Sequence, residues 1–268
     1  MIHLKTVTFR DWDDESNNSY PFSLELVRNL NRLTFDSPVT FFVGENGSGK
    51  STVLEALACA IGSVSVGSES LQTDETMAQA RKLAGFLKLA WTKRVHRGFF
   101  LRAEDFFGYV KNIRQTQQYL RTEMVQMEAE AKKRSDFAAM QTRAGFQNEL
   151  AGLQSSYGTG LDTRSHGEGY LQLFQSRFVP GGLYLLDEPE AALSPTRQMT
   201  FLAALKEMIT QDSQFIIATH SPMILAFPEA TILKFEDGVV SRVAYDDLEH
   251  VTLTREFLEN PQAYIRYL

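Results

Sequence analysis

The chain has 268 residues, of which 43% are hydrophobic and 22% charged, and this balance is typical of a globular protein with a full core. It excludes a disordered or collagen-like chain, and no apolar run reaches the roughly 18 residues that a membrane span needs. The start of the sequence also lacks the charged and then apolar blocks of a signal peptide, so we expect a cytoplasmic protein, and the single Cys59, which excludes an internal disulfide, is compatible with this. The net charge of -6 argues against general attraction to nucleic acid.

The N-terminal segment alternates apolar and polar side chains, as a half-buried strand does. The alternation covers residues 2–9 but slips by one position near Lys5, which predicts a β-bulge there. Residues 22–27 are a candidate antiparallel partner strand. Residues 39–43 form an apolar, β-rich run, which predicts a buried central strand.

A glycine-rich loop of the form G-x-x-x-x-G-K-[ST] follows this central strand, and a predicted helix runs from Ser51 to Gly62. Such a loop turns backbone N–H groups towards phosphate oxygens, while its lysine reaches the β- and γ-phosphates and its serine binds Mg²⁺. A plain glycine turn is the alternative, which the flanking strand and helix disfavour. The predicted phosphate-binding residues are Gly44, Glu45, Asn46, Gly47, Ser48, Gly49, Lys50, Ser51 and Thr52.

The middle of the chain divides into a loop, a basic stretch and a helical segment. Residues 63–76 are rich in Ser, Gly and Thr and predict a surface loop. No acidic residue occurs between residues 77 and 103, and a strand is predicted over residues 98–102. Residues 109–153 are polar and Gln-rich, which predicts a helical insertion, or short lid, without the sustained heptads of a coiled coil.

A second group of polar residues lies where two apolar strands end. Residues 183–186 run directly into Asp187 and Glu188, and residues 215–218 are followed by His220. Strand and helix alternate here, which predicts a parallel sheet with ligands at its carboxyl edge. We expect Asp187 to hold Mg²⁺ through water, Glu188 to orient or deprotonate the attacking water, and His220 to donate to the γ-phosphate. An acidic turn and a structural histidine are the alternatives.

Two elements complete the predicted core. The helix between these strands begins with Ser194 as N-cap and Pro195 in its first turn. Residues 231–235 and 239–243 predict a β-hairpin across Glu236-Asp237-Gly238. We therefore expect the predicted sheet to include an antiparallel pair of strands after the parallel ones.

The segment Ser165-His166-Gly167-Glu168 opens another predicted helix, whose apolar face is Leu171, Phe174 and Phe178. Taken alone, it is a capping box in which Ser165 and Glu168 satisfy free N–H groups of the first turn. Its place in the chain, between the phosphate loop and the two carboxylates, favours a role in the nucleotide site instead.

The order of these elements resembles the ABC-type ATPases. In that family the phosphate loop is Walker A, the Ser165 segment is the signature, and Asp187-Glu188 is Walker B with the catalytic glutamate. Residues 191–194 correspond to the D-loop and His220 to the H-loop. The resemblance covers roughly residues 1–235. Within the family, the chain looks like the stand-alone ATPases near the SMC and OLD branches.

The resemblance implies a single α/β P-loop NTPase domain over residues 1–268. Its central sheet would be mostly parallel, with an N-terminal antiparallel β part and a helical lid or insertion over about 104–164. It also implies ATP and Mg²⁺ as cofactors and an ATP-dependent homodimer that drives or switches an unidentified protein partner. The implied site residues are Glu188 and His220 for catalysis, Ser51 and Asp187 for Mg²⁺, and Ser165 and Gly167 for the ATP of a second copy.

Two departures from the family pattern leave roles open. The signature Leu-Ser-Gly-Gly-Gln is here Arg164-Ser165-His166-Gly167-Glu168, so the roles of Arg164 and His166 are open. No clear Q-loop glutamine follows residues 98–101, where Glu104 and Arg102 are the candidate substitutes.

Further candidates lie outside the family motifs. Arg10 and Trp12 could contact adenine or belong to a surface loop. The basic stretch Arg81–Arg102 could bind a nucleic-acid backbone, with Trp91 stacking on bases, or could be a solvated helix face.

The competing functions are an ATPase and a nucleotide-dependent regulatory subunit of an anti-phage, toxin or DNA-repair assembly. A transporter ATPase subunit is disfavoured, because the unusual Q-loop region would have to couple to membrane helices. A nuclease has the least support, since the remaining carboxylates Asp246, Asp247 and Glu249 are typical of a solvated turn.

Overall fold

A computed structural model describes residues 1–12, 19–66, 71–133, 135–157 and 166–266. The chain divides into two compact units, the first formed by Met1–Ala103 with Phe178–Leu268 and the second by Glu104–Arg177. The single domain with a lid over about 104–164 stays a prediction. In the described part of the chain, no helix is both long and apolar enough to span a bilayer.

The described strands and helices are numbered in chain order. The strands are β1 (Leu4–Phe9), β2 (Arg32–Thr34), β3 (Val39–Val43), β4 (Val64–Ser65), β5 (Leu87–Trp91), β6 (Phe99–Arg102), β7 (Leu183–Asp187), β8 (Gln214–Ala218), β9 (Thr231–Glu236) and β10 (Val239–Val243). The helices are α1 (Glu25–Asn29), α2 (Lys50–Ile61), α3 (Ala78–Ala84), α4 (Ala103–Lys132), α5 (Asp136–Tyr157), α6 (His166–Arg177), α7 (Pro195–Thr210), α8 (Pro222–Leu225), α9 (Glu249–Glu259) and α10 (Pro261–Ile265).

A three-stranded antiparallel sheet contains the N-terminal strand and has the order β2-β1-β5. The register of β1 against β5 shifts between Leu4 and Thr6, which confirms the bulge predicted near Lys5. Because the bulge absorbs the slip in alternation, Leu4, Val7 and Phe9 are all buried.

The strand predicted over residues 22–27 is wrong, because the chain forms the short helix α1 there and β1 pairs with β2 and β5 instead. Leu26 and Val27 are buried on one face of this helix. A short apolar run does not distinguish a strand from a buried helix segment by its periodicity, and the tertiary packing decides.

A seven-stranded sheet has the order β10-β9-β3-β8-β7-β6-β4. Every neighbouring pair is parallel except β9 with β10, so the predicted parallel sheet and C-terminal hairpin are confirmed. Every residue of β3, β7 and β8 is buried, as expected for strands covered on both faces. The predicted loop over residues 63–76 contributes the edge strand β4, which the sequence did not indicate.

Helix α2 contacts strands of both sheets. Its side chains Val53, Leu54 and Leu57 are fully buried in a core shared with β1 and β8. The Gln214 side chain adds a polar link between the sheets, since its Oε1 accepts from the N–H groups of His3 (2.8 Å) and Leu4 (2.9 Å), and its amide donates to the Leu4 carbonyl (3.0 Å). These contacts hold α2 and the two sheets in one core, and the phosphate loop ends where α2 begins.

The second unit is helical, and it comprises α5, α6 and all of α4 after Ala103. Helices α4 and α5 contain the polar segment for which the sequence predicts a helical insertion, so its helical character is confirmed. Helix α6 begins at His166, as predicted for the signature segment.

Gly98 tests how closely β6 and β7 approach each other. Its φ is +117°, and a Cβ atom there would lie 1.8 Å from the Leu183 carbonyl oxygen. We expect Gly98→Ala to lower the free energy of unfolding by about 3 kcal/mol or more, because backbone atoms must move apart. Chemical denaturation of the purified variant measures this loss.

Gly181→Ala is the matched control, since Gly181 also has a positive φ (+68°) but no atom lies within 4 Å of its added Cβ. It should lose only about 1 kcal/mol from backbone strain. Equal losses in the two variants would contradict the close approach at Gly98.

Candidate nucleotide site

The phosphate loop joins β3 to α2 at the carboxyl edge of the large sheet. Gly44 begins it with a φ of +154°, and a Cβ atom there would lie 2.2 Å from the Phe235 carbonyl oxygen. Only glycine lets the loop pass this close to β9. The predicted strand, loop and helix are therefore confirmed as a continuous unit, with Gly62 in the left-handed conformation ending α2.

Lys50 is buried at the centre of its own loop. Its Nζ donates to the carbonyl oxygens of Gly44 (2.6 Å) and Glu45 (2.8 Å). Burial lowers the pKa of Lys50, while the carboxylates of Asp187 and Glu188 oppose this effect. The loop thus holds a desolvated positive charge that two carboxylates favour, an environment suited to binding phosphate oxygens.

Asp187 meets the phosphate loop from the end of β7. The Ser51 hydroxyl donates to its Oδ1 at 3.2 Å. Burial raises the pKa of Asp187 to about 6, and Glu188 and Glu190 act in the same direction, whereas the Ser51 hydrogen bond and Lys50 oppose it. The Ser51 hydroxyl and the Asp187 carboxylate are neighbouring oxygen ligands that suit Mg²⁺, which usually takes its other ligands from phosphates and water.

Glu188 and His220 lie at the ends of neighbouring strands, where Glu188 Oε1 is 3.9 Å from His220 Nε2. Glu188 has a left-handed backbone (φ 50°, ψ 52°), which is rare for a residue other than glycine, and its side chain is half exposed. Burial lowers the pKa of His220, Lys50 lowers it further, and Glu188 and Glu190 partly offset these effects. At neutral pH the imidazole is therefore uncharged and offers one N–H donor and one acceptor.

Two nearby residues have no counterpart in the sequence prediction. The Tyr20 hydroxyl is hydrogen-bonded to that of Thr52 at 2.8 Å, so an aromatic ring lies beside the end of the phosphate loop. His250, from the first turn of α9, shares with His220 a cleft of about 580 Å³ at the phosphate loop. No spacing or motif connects either residue to the loop, so only tertiary structure finds them.

The structure brings together five of the predicted site residues, listed here in chain order: Lys50, Ser51, Asp187, Glu188 and His220. Ser165 lies outside the described residues, and Gly167 belongs to α6 of the second unit. Ser194 is at the N-cap position of α7, as predicted, but its side chain makes no capping hydrogen bond. The roles of all these residues stay predictions.

Arg102 does not fit either role predicted for it. Its side chain is only 9% exposed, and its guanidinium pairs with Asp74 at 3.1 Å and Glu55 at 3.6 Å, so it cannot contribute to a surface patch for nucleic acid. Because these ion pairs hold Arg102 in place, its role is structural and it does not substitute for the Q-loop glutamine. A buried cation keeps such carboxylate partners because an unpaired one is costly.

Two further candidates are also engaged in packing. Arg81 donates to the carbonyl oxygens of Leu71 and Asp74 at 2.8 and 2.7 Å, so part of the basic stretch holds a loop. Trp12 packs against Phe22 and Phe86, with ring centroids 5.1 and 6.0 Å away. Contact of Trp12 or Arg10 with adenine stays a prediction.

Two family profiles match the chain. One, described as "AAA domain", matches residues 18–135. The other, described as "AAA domain, putative AbiEii toxin, Type IV TA system", matches residues 110–226. Together they extend from the segment before the phosphate loop to beyond His220.

Curated relatives are similar at a lower level. "Macrolide export ATP-binding/permease protein MacB" of Pectobacterium atrosepticum is 24% identical over 218 residues, which cover 80% of this chain and 31% of that protein. The protein of the same name from Shigella boydii is 25% identical over 232 residues, covering 84% of this chain and 33% of that protein. The chain thus spans about a third of the length of these relatives.

The solved structures to which the chain is similar include an Smc head domain with an extended coiled coil bound to the C-terminal domain of ScpA, from Pyrococcus furiosus. It is 11% identical and has a TM-score of 0.47, and the match covers 98% of this chain and 100% of that one. A nucleotide-free ATP-binding cassette from an ABC transporter is 15% identical with a TM-score of 0.46, over 100% of this chain and 99% of that one.

The phosphate loop on a mostly parallel α/β sheet defines a P-loop NTPase, so the predicted fold class is confirmed. The two family profiles and the curated relatives support a P-loop ATPase similar to the ABC type, in agreement with the resemblance seen in the sequence motifs.

The buried charge of Asp187 should lower the stability of the protein without ligands. Its pKa is about 6 in the folded chain against an ordinary value of 3.8, a difference equivalent to about 3 kcal/mol above pH 6. We expect Asp187→Asn to increase the free energy of unfolding at pH 7.5 by about 1–3 kcal/mol, since the amide oxygen can still accept from Ser51. Urea denaturation without Mg²⁺ or nucleotide measures the gain.

The pH dependence is the control for this cause. As the pH falls below 6, Asp187 of the unsubstituted protein takes up a proton when folded and its penalty disappears towards pH 4. The advantage of the variant should therefore shrink over that range, and a pH-independent advantage would contradict desolvation as the cause.

Proposed function

We propose that the protein binds ATP with Mg²⁺ and hydrolyses it as an ABC-type ATPase. The observation that carries this proposal is the 3.2 Å hydrogen bond from Ser51 to Asp187, which joins the phosphate loop to the acidic strand end. In a structural glycine turn, no such contact with a desolvated carboxylate is needed. The buried Lys50 in the same loop supports a triphosphate as the ligand.

Each residue of the loop has a role that its position supports. The backbone N–H groups of residues 44–49 and the start of α2 would bind the phosphates, and the flexible Lys50 would reach the β- and γ-phosphates. Ser51 and Asp187 would hold Mg²⁺, which when bound neutralises charge on the phosphate oxygens. Thr52 and its neighbour Tyr20 would lie towards the rest of the nucleotide.

Hydrolysis would depend on Glu188 and His220. The half-exposed carboxylate of Glu188 is accessible to water, which it would orient or deprotonate. The uncharged imidazole of His220, held at 3.9 Å from that carboxylate, would donate its N–H to the γ-phosphate. The left-handed backbone of Glu188 supports a functional role, because strained residues of this kind concentrate at active sites.

We further propose that two copies enclose the ATP molecules. Ser165 and Gly167 of one copy would contact the ATP on the phosphate loop of the other, as the resemblance implies. Such a dimer would drive or switch a protein partner. Nucleic acid is a further candidate partner, through the exposed side chains of Lys82, Lys93, Arg94 and Arg97.

A regulatory subunit of an anti-phage, toxin or DNA-repair assembly is the second candidate function. The family profile over residues 110–226, with its toxin–antitoxin description, supports it. In that case ATP binding would matter more than turnover. A transporter ATPase subunit has the support of the export proteins among the relatives, although this chain spans only about a third of them.

Lys50→Ala tests the ATP site itself. We expect the variant to lose ATP binding and hydrolysis but to keep its fold, because only Lys50 brings a flexible positive charge into the loop. Equilibrium titration with labelled ATP gives the affinity, and circular dichroism checks the fold. The exposed Lys82→Ala is the control and should bind normally, whereas normal binding by Lys50→Ala would remove Lys50 from the site.

Glu188→Gln tests hydrolysis and dimer formation together. Turnover should fall by about 10²- to 10⁴-fold while ATP binding is kept, which is the size of a general-base effect. The uncleaved ATP should hold two copies together, so light scattering after size-exclusion chromatography should find a dimer in ATP and a smaller species in ADP.

Adding Ser165→Arg should abolish this dimer, because it places a bulky side chain at the proposed contact. The exposed Glu259→Gln is the control and should hydrolyse ATP normally. An ATP-bound monomer of Glu188→Gln, or a dimer indifferent to nucleotide and to Ser165→Arg, would rule out the ATP sandwich but leave the ATP site intact.

A further inference from the structure

The loops that follow β7 and β8 are joined by the side chain of Glu190. Its Oε1 accepts from the backbone N–H groups of His220 at 2.6 Å and Ser221 at 3.1 Å. A backbone bond from the Glu188 N–H to the Ala218 carbonyl (2.9 Å) connects the same two loops. One carboxylate thus fixes the main chain on both sides of the His220 Cα atom.

The surroundings make this link strong. Thr219 is fully buried and Ser221 nearly so. Within the part of the chain that the structure describes, the Ser221 N–H has one other acceptor, the Thr219 hydroxyl at 3.1 Å. Hydrogen bonds from amides to an ionised carboxylate are about twice as strong as neutral ones. Without Glu190, the part-buried His220 N–H would lose this acceptor.

The other side of the same loop is held independently. The Ser221 hydroxyl donates to Gln198 of α7 at 2.6 Å and accepts from the Ile224 N–H at 3.3 Å, which caps α8. These bonds hold Ser221 and the start of α8 rather than the backbone of His220. Glu190 therefore has a distinct task, since among the described residues its carboxylate is the acceptor of the His220 N–H.

We infer that Glu190 is a positioning residue, which holds the His220 imidazole in register with Glu188 and the phosphate loop. The inference rests on the proposed function, in which His220 donates to the γ-phosphate. Glu190 acts through the backbone and contacts no reacting group. With Glu190, the proposed site includes a residue that neither the motifs nor the comparisons indicate.

A double-mutant cycle tests the inference in the full chain. We expect Glu190→Ala to lower kcat for ATP at least about 10-fold with little change in KM, because ATP binding rests on the phosphate loop. In a His220→Ala background, Glu190→Ala should lower kcat by less than about 2-fold, since the group it positions is gone. Glu190→Gln keeps an acceptor oxygen and should recover most of the lost kcat.

Gly181→Ala is the control for general destabilisation, as it lies before the opposite end of β7 and should leave kcat unchanged. Independent, multiplying losses in the double variant, or an unchanged kcat in Glu190→Ala, would overturn the inference. A loss of kcat in Gly181→Ala equal to that in Glu190→Ala would do the same.

Amide hydrogen exchange separates this inference from the proposed function. Glu190→Ala should speed exchange of the His220 amide at least about 10-fold relative to the amides of β8, whether or not the protein hydrolyses ATP. Unchanged exchange would overturn the link. A wild-type protein without ATP turnover, or a His220→Ala variant with normal kcat, would instead contradict the proposed function.

Discussion

The strands β3, β7 and β8 lie side by side and run in the same direction. Their carboxyl ends therefore open on one edge of the sheet, and each delivers a different chemical group there. β3 leads into the phosphate loop, β7 ends in Asp187 and Glu188, and β8 leads to His220. Parallel pairing requires long connections between these strands, so residues far apart in the chain become neighbours through backbone hydrogen bonds alone.

Function and stability oppose each other at this edge. Asp187 and Lys50 are ionisable groups withdrawn from water. Burial raises the pKa of Asp187 and lowers that of Lys50, and both shifts favour the neutral form. Glu188 adds a strained backbone. The rest of the first unit offsets these costs with fully buried strands and a core shared by its two sheets. Such a division, with strain at one site and dense packing around it, is common where proteins carry a functional site.

Much of the fold could be predicted from the sequence because local patterns match the final environment. The slip near Lys5 gave the bulge, and the apolar runs of β3, β7 and β8 indicated strands covered on both faces. The positions of the phosphate loop and of Asp187 were predictable because the loop motif has a fixed spacing and Asp187 directly follows an apolar run. In these places sequence and structure agree because the constraint is local.

The remaining features depend on contacts between distant segments. The apolar side chains of residues 22–27 suit either a strand or a helix, and tertiary packing distinguishes the two. Leu26 lies beside Gly49 of the phosphate loop, and Glu25 lies beside Gly238 between β9 and β10. Arg102 looks like part of a basic surface until Asp74 and Glu55 are brought to it. Glu190 is similar, since its partners are backbone N–H groups, which carry no signal in the sequence.

The order of the large sheet also affects how the chain is made. β3 has β8 and β9 as its neighbours, and both are synthesised long after it. At roughly 5–20 residues per second, the nascent β3 waits on the order of ten seconds or more before either edge can be paired. Gln214, which ties the N-terminal strand to β8, arrives equally late. An apolar strand with two open edges is prone to aggregate, so the ribosome-bound chain is vulnerable at β3, directly before the phosphate loop.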